Sequence, residues 1–263
     1  MATSSQNPAA FSGASAPIRI VPIRVDDRVV APAPGVAPGP VPNLTYRGGP
    51  LLTAVQVFTL FWGDGWQQQP QAGLMQPIIQ FFDYVVSSAL LDQLAEFSVT
   101  GNAIGHGANL GAVPIAAALG QSVDDSAIQQ VIQQEISTNP AVPQPTPGSL
   151  YFVFLPPGVG VSLGGGSSCL TFCGYHSDIN GQLFYAVVPY PGCAGCTHGM
   201  TEFEAMTSTI SHELCEAITD PIPGQGWYDD NHGEIGDICA WQTKKLGDYT
   251  VQLEWSNQKG GCI

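Results

Sequence analysis

The residues best able to do chemistry lie in one short run, His212-Glu213-Leu214-Cys215-Glu216. It reads H-E-x-x-E, one residue from the H-E-x-x-H signature of zinc peptidases. On a helix His212 and Glu216 stand one turn apart on the same face, so an imidazole nitrogen and a carboxylate oxygen can grip one Zn2+. Glu213 sits beside them, where a general base would take a proton from a water activated by the metal. Downstream, Gly233-Glu234-Ile235-Gly236-Asp237 offers two more carboxylates. A catalytic zinc site takes three protein ligands and keeps one position open. Glu234 is the expected third ligand, because its longer side chain reaches back to the helix more easily. Asp237 is then the expected partner that orients His212. The competing reading is an acidic surface turn beside Asp229 and Asp230 that holds no metal.

The element that must carry the motif is a helix. Thr201 and Glu204 form a T-x-x-E capping box at its start. Phe203, Met206, Ile210, Leu214 and Ala217 recur at threes and fours, which marks the face turned to the core. At roughly 100° per residue, His212 and Glu216 fall about 140° from the middle of that stripe, and so are expected to face a cleft or solvent. Asp220-Pro221 ends the helix, because proline cannot continue it.

Two further side chains are candidates for the same cleft. His176, in Gly174-Tyr175-His176-Ser177, is placed to steady a developing oxyanion, and Tyr228 to donate a similar hydrogen bond. Each has an equally simple packing role. His106, His198 and His232 are expected at the surface, with His198 and His232 as alternative metal ligands. Cys215 lacks the exposed, electropositive setting of a nucleophile.

Composition bounds what the chain can be. Its 263 residues suit one large domain or two small ones. Hydrophobic residues make up 44%, enough for a substantial core, yet no apolar run approaches the ~18 residues of a membrane span. With 7 Lys+Arg against 21 Asp+Glu the net charge is −14, which disfavours nucleic acid and anionic membranes as partners. The seven cysteines fall as Cys169-x3-Cys173, Cys193-x2-Cys196, Cys215, Cys239 and Cys262. The first four have the spacing of either a four-cysteine zinc ribbon or two disulfides. Cys215 reads as a buried free thiol, and Cys239 with Cys262 can tie the tail back to the metal loop. Met1 to Pro17 is polar and small, without the charged and apolar regions of a secretory signal.

Residues 1–42 read as a Pro/Ala/Gly-rich, weakly held segment, in which 18–25 is a possible added edge strand or part of a pro-segment. A single domain is expected over 43–263. Within it, strands are expected at 55–62, 150–155, 183–188 and 250–255, and helices over 72–97 and 124–137. The Gly/Ala-rich stretch 101–121 carries no clear pattern.

The motifs together resemble the plant Exordium/phosphate-induced protein family. The resemblance runs from Asn43-Leu-Thr-Tyr-Arg-Gly-Gly-Pro-Leu-Leu52 and the strand after it, through Cys169-x3-Cys173-Gly174 and Cys193-x2-Cys196. It is densest in Ser211-His-Glu-Leu-Cys-Glu-Ala217, Asp220-Pro221, Gly226-Trp-Tyr228, Glu234-Ile-Gly-Asp237-Ile-Cys239 and Gln252-Leu-Glu-Trp255. It implies a secreted, cell-wall type of protein, and with that disulfides rather than a zinc ribbon. Motif and resemblance together lead to three expectations. The fold is a zincin-like α/β (α+β) arrangement: a mixed twisted sheet, an active-site helix and a smaller C-terminal part. The leading function is a secreted zinc peptidase acting on peptide or protein substrates. The alternative is a non-catalytic, metal-bearing extracellular protein.

Overall fold

The computed structural model describes residues 20–24 and 40–263. The weakly held segment expected over 1–42 therefore lies largely outside the described residues. The chain begins with β1 (Ile20–Pro22), β2 (Thr45–Tyr46) and β3 (Gln56–Trp62), then α1 (Ala72–Val85) and α2 (Ala89–Gln93). Next come β4 (Ala108–Ile115), β5 (Ser122–Asp124), α3 (Asp125–Thr138), β6 (Ser149–Phe154), β7 (Gly160–Leu163) and β8 (Gly166–Ser167). Two long strands follow, β9 (Phe172–Ile179) and β10 (Leu183–Val188), then α4 (Ala194–Thr197) and α5 (Glu202–Thr219). The C-terminal part is built from β11 (Trp227–Tyr228), β12 (Thr243–Leu246), β13 (Tyr249–Gln252), β14 (Trp255–Ser256) and β15 (Gly261–Cys262).

Six strands form one mixed sheet in the order β1-β9-β10-β6-β3-β4. β10, β6, β3 and β4 run parallel, while β9 and β1 are added antiparallel at one edge. The central strands are apolar on both faces, as a sheet covered by helices on both sides requires. Phe61, Phe152, Phe154 and Ala186 pack with α1, α2 and α5 on one face. Leu60, Tyr151, Val153 and Tyr185 pack with Ile128, Ile132 and Ile136 of α3 on the other. The strands expected at 55–62, 150–155 and 183–188 and the helix over 124–137 are present, while the strand expected over 250–255 is split into β13 and β14, which pair in separate two-stranded sheets. The expected helix over 72–97 is interrupted after Val85, where Ser88 caps the new helix α2 through its hydroxyl. The unpatterned stretch 101–121 supplies the edge strand β4.

The helix α5 starts at the expected capping box. Thr201 Oγ1 accepts from the Glu204 backbone N–H, and the Glu204 carboxylate accepts from the Thr201 N–H. The stripe Met206, Ile210, Leu214 and Ala217 meets the core. The opposite face is not exposed as the helical pattern suggested. His212, Glu213 and Glu216 are all buried. The reason is that α5 is a central helix: β9 and β10 pack on one side of it, and the β12–β13 hairpin with the loop 229–239 covers the other.

The cysteines are paired as Cys169–Cys193, Cys173–Cys196 and Cys239–Cys262, and Cys215 is free and buried. The ribbon alternative therefore gives way to two bridges that staple the start of β9 to α4. The third bridge ties the C-terminus to the turn after Asp237. Among the described residues no single helix is long and apolar enough to cross a membrane.

Three outcomes are expected. Alkylation of the denatured but unreduced protein should label Cys215 alone, and all seven cysteines only after reduction. Removing the cap with Thr201→Ala should lower stability by about 1 kcal/mol in denaturant unfolding. Glu204 is held down to about 2 by its hydrogen bond with Lys245 and by Thr201. A depressed folded-state pKa stabilises above the ordinary carboxylate range. The stability advantage of wild type over Glu204→Gln should thus be present at neutral pH and vanish as pH falls toward about 2.

Candidate metal centre

Three elements bring the donors together. Helix α5 supplies His212, Glu213 and Glu216. Strand β9 supplies His176, whose neighbour Tyr175 belongs to the opposite face of the sheet, as strand alternation dictates. Gly174 shares the face of His176, and a side chain there would strike Thr209, with the Glu213 carboxylate close behind. Its absence lets α5 lie directly on β9. The third element is the chain after α5. Asp220 closes the helix and gathers the N–H groups of Gly224, Gln225 and Gly226 on its carboxylate, folding the loop back under the site.

The return of that loop depends on Gly236. A Cβ at this position would lie 2.8 Å from His212 Nδ1 and 2.9 Å from Glu216 Oε1. With glycine there, the short turn that follows lays the Asp237 N–H on Glu216 Oε1 at 3.1 Å. It also brings Asp237 Oδ1 within 4.0 Å of His212 Nε2. Asp237 therefore joins His212 and Glu216 in one convergent donor group, the position expected of Glu234. Glu234 points to the other side, where it converges with His176 and Glu216. The longer side chain expected to favour Glu234 is outweighed by the tight turn, which aims the shorter one at His212.

The expected orienter of His212, Asp237, is replaced in that role by Gln252. His212 Nδ1 lies 3.1 Å from Gln252 Oε1, and Gln252 Nε2 donates to the Gly236 carbonyl at 2.9 Å. An amide oxygen can only accept, so Nδ1 carries a proton, and Nε2 is the nitrogen left to face Glu216 and Asp237. That Nε2 lies 2.9 Å from Glu216 Oε1 yet makes no well-directed hydrogen bond. Also buried without a partner are Glu213 Oε1, Glu216 Oε2, both oxygens of Glu234 and Asp237 Oδ1. Unsatisfied buried carboxylate oxygens are costly, and a set of them aimed at one space suits a cation. One imidazole and two carboxylates are also the donor types that zinc accepts.

The electrostatics agree. Burial pushes Glu213, Glu234 and Asp237 above the usual carboxylate range, with like charge on Glu216 adding to it. Burial also pushes Glu216 upward, but His212 and His176 outweigh it and hold Glu216 at about 2. The same carboxylates overcome burial at both histidines, raising His176 to about 10 and His212 well above its ordinary value. A field that binds protons this firmly also favours a divalent cation.

His176 is central to the cluster rather than a lining residue of an open cleft. Its Nδ1 is 3.2 Å from Glu213 Oε2, and its Nε2 is 3.1 Å from the Asp220 carbonyl. Tyr228 is held elsewhere, with the Arg47 guanidinium 4.5 Å above its ring. His232 is bound to Asp229, His106 to Asp92, and His198 lies beside the Trp241 ring. Asp229 is itself a buried turn cap, and Asp230 pairs with Arg47 at the surface. Sequence reasoning missed Gln252, Asp220 as the loop organiser, and Glu254, whose buried carboxylate oxygens also lack partners. Gln252 stands in the run Gln252-Leu-Glu-Trp255, which the family resemblance had marked without a role.

Replacing Gln252 with Leu should weaken zinc binding by about 10–100-fold in competition with a chelator, with the fold kept, because the imidazole loses its fixed tautomer. An affinity equal to that of the wild type would remove Gln252 from the site. No family model, curated protein or solved structure matches this chain.

Proposed function

We propose that this chain is a zinc-bearing extracellular protein whose centre, His212, Glu216 and Asp237, ties the central helix to the loop that follows it. The observation that carries this reading is the set of unpartnered donor atoms converging in the core. A bound cation would replace the missing hydrogen bonds and hold the Asp237 turn against α5. Three disulfides are compatible with an extracellular setting, and the resemblance to the Exordium family, which rests on its motifs, points the same way.

Hydrolysis of peptide bonds is the second reading, and one observation favours it. Glu213 belongs to the cluster, and its Oε1 is buried without a partner, free to take a proton. Bound zinc would supply Lewis acidity to a water and to a substrate carbonyl. Glu213 would act as the base, with His176 holding its other oxygen in place. Burial puts this reading second: every side chain of the cluster is closed to solvent or nearly so, and a peptide bond reaches it only if a covering segment moves. The net charge of −14 would select neutral or basic substrates.

The two readings separate experimentally. In both, His212→Ala should lose bound zinc, and a chelator should lower the melting temperature of the wild type. Zinc present at a hundredfold over its dissociation constant stabilises by about 2.7 kcal/mol. A wild-type protein that binds no zinc and melts unchanged with chelator overturns the metal centre. Glu213→Gln tells binder from enzyme. A catalytic site should lose about 10²–10⁴ in peptide cleavage while keeping its zinc. A structural site should show no cleavage in a broad peptide library, before or after the substitution.

A further inference from the structure

We propose that the centre holds two divalent cations bridged by Glu216, the second taken by His176, Glu216 and Glu234. This rests on the metal centre proposed above and extends it. The two oxygens of Glu216 face different imidazoles. Oε1 lies 2.9 Å from His212 Nε2, and Oε2 lies 3.4 Å from His176 Nδ1. A carboxylate placed between two histidines in this way can give one oxygen to each of two ions. The second group, His176, Glu216 and Glu234, also converges, with its donor atoms within 4.8 Å of one another.

Glu234 supplies the independent sign of a ligand. It is fully buried, neither of its oxygens meets a protein N–H or O–H donor, and the neighbour it crowds is another carboxylate, Asp220. In the metal-free protein a protonated His176 is the counter-ion to these carboxylates, but its contacts with them are long for that role. His176 Nδ1 lies 3.2 Å from Glu213 Oε2 and 3.4 Å from Glu216 Oε2, while its Nε2 lies 3.5 Å from Glu234 Oε1. Charge-assisted hydrogen bonds from an imidazolium run about 2.7–2.9 Å. The imidazole also has a second anchor. With Nε2–H donating to the Asp220 carbonyl at 3.1 Å, Nδ1 is the nitrogen that would give its lone pair to a cation beside Glu216 in exchange for a proton. This repeats the device at His212, where the bond to Gln252 frees Nε2. Charge balance points the same way. One divalent cation matches Glu216 and Asp237, and leaves Glu213 beside His176 and Glu234 between His176 and a further buried carboxylate, Asp220. A second cation compensates Glu213 and Glu234. One imidazole with two carboxylates suits zinc or manganese.

Zinc chloride titrated into metal-free protein, with elemental analysis after gel filtration, tests this without any assay of activity. The wild type should bind two equivalents. Glu234→Gln and His176→Gln should each bind one, and that retained equivalent shows that the first position is intact. The manganese-loaded wild type should give the resonance spectrum of a spin-coupled pair, a reading that needs no variant to fold. One equivalent in the wild type, with an uncoupled manganese spectrum, overturns the second site and leaves the first. Two equivalents that persist in both variants also overturn it, because the second ion then lies elsewhere. No bound metal in the wild type overturns the centre as a whole.

Discussion

The constraint on which the rest of this structure depends is the burial of several carboxylates in one place. Glu213, Glu216, Asp220 and Glu234 are fully buried, and the Asp237 side chain nearly so, around the two histidines. A buried carboxylate must be protonated, hydrogen-bonded or paired with a cation. Asp220 takes the second route by collecting backbone N–H groups at the end of α5. The others have no such supply of donors. Around them the protein spends its least ordinary local structure: a glycine where the loop touches the helix, a glycine where the strand touches the helix, and a glutamine that anchors an imidazole. Each is intelligible as a means of packing ligands close, and none improves an apolar core.

The helix that carries the motif was legible because its signals are local. A capping box, a 3.6-residue stripe and a terminal Asp-Pro all act within one element, and the structure has each of them. Burial of the helix's polar face was not legible. The stripe reports only which face is apolar, and the opposite face is closed by chain that lies far away in sequence, the β12–β13 hairpin and the loop 229–239. Strand β9 escaped for a related reason. Its sequence Phe172-Cys-Gly-Tyr-His-Ser-Asp-Ile179 has few β-branched residues and no polar-apolar alternation, since both of its faces are covered. His176 was therefore noticed as a residue but not placed at the centre. β4 was missed likewise, because Gly111 and Pro114 obscure its pattern at the sheet edge.

The division of labour between Glu234 and Asp237 illustrates what side-chain reach cannot decide. A separation of three residues leaves both able to approach α5, and length favours glutamate. The turn decides instead. Asp237 Oδ2 caps the Glu234 N–H at 3.0 Å, and this local bond fixes where Asp237 Oδ1 points. Gln252 carries the same lesson. An uncharged residue at the end of a late strand has no spacing relation to the motif, yet it sets the tautomer of His212 and binds the loop at Gly236.

The closed position of the cluster also links the parts of the chain that looked unrelated. Strand β1 pairs with β9 along Tyr175 and Gly174, next to His176, and the Pro22 carbonyl accepts from Trp241 of the C-terminal part. Two disulfides hold the start of β9 against α4, and the third holds the end of the loop 229–239 to the C-terminus. The three elements that carry donors are thus fixed from outside as well as from within. A cation bound here, as proposed, would meet ligands whose backbone is already in place, so little ordering entropy would be lost on binding. The same rigidity resists the opening that a peptide substrate would need. Preorganisation of the donors and access for a substrate are opposed in this fold, and the staples favour the first.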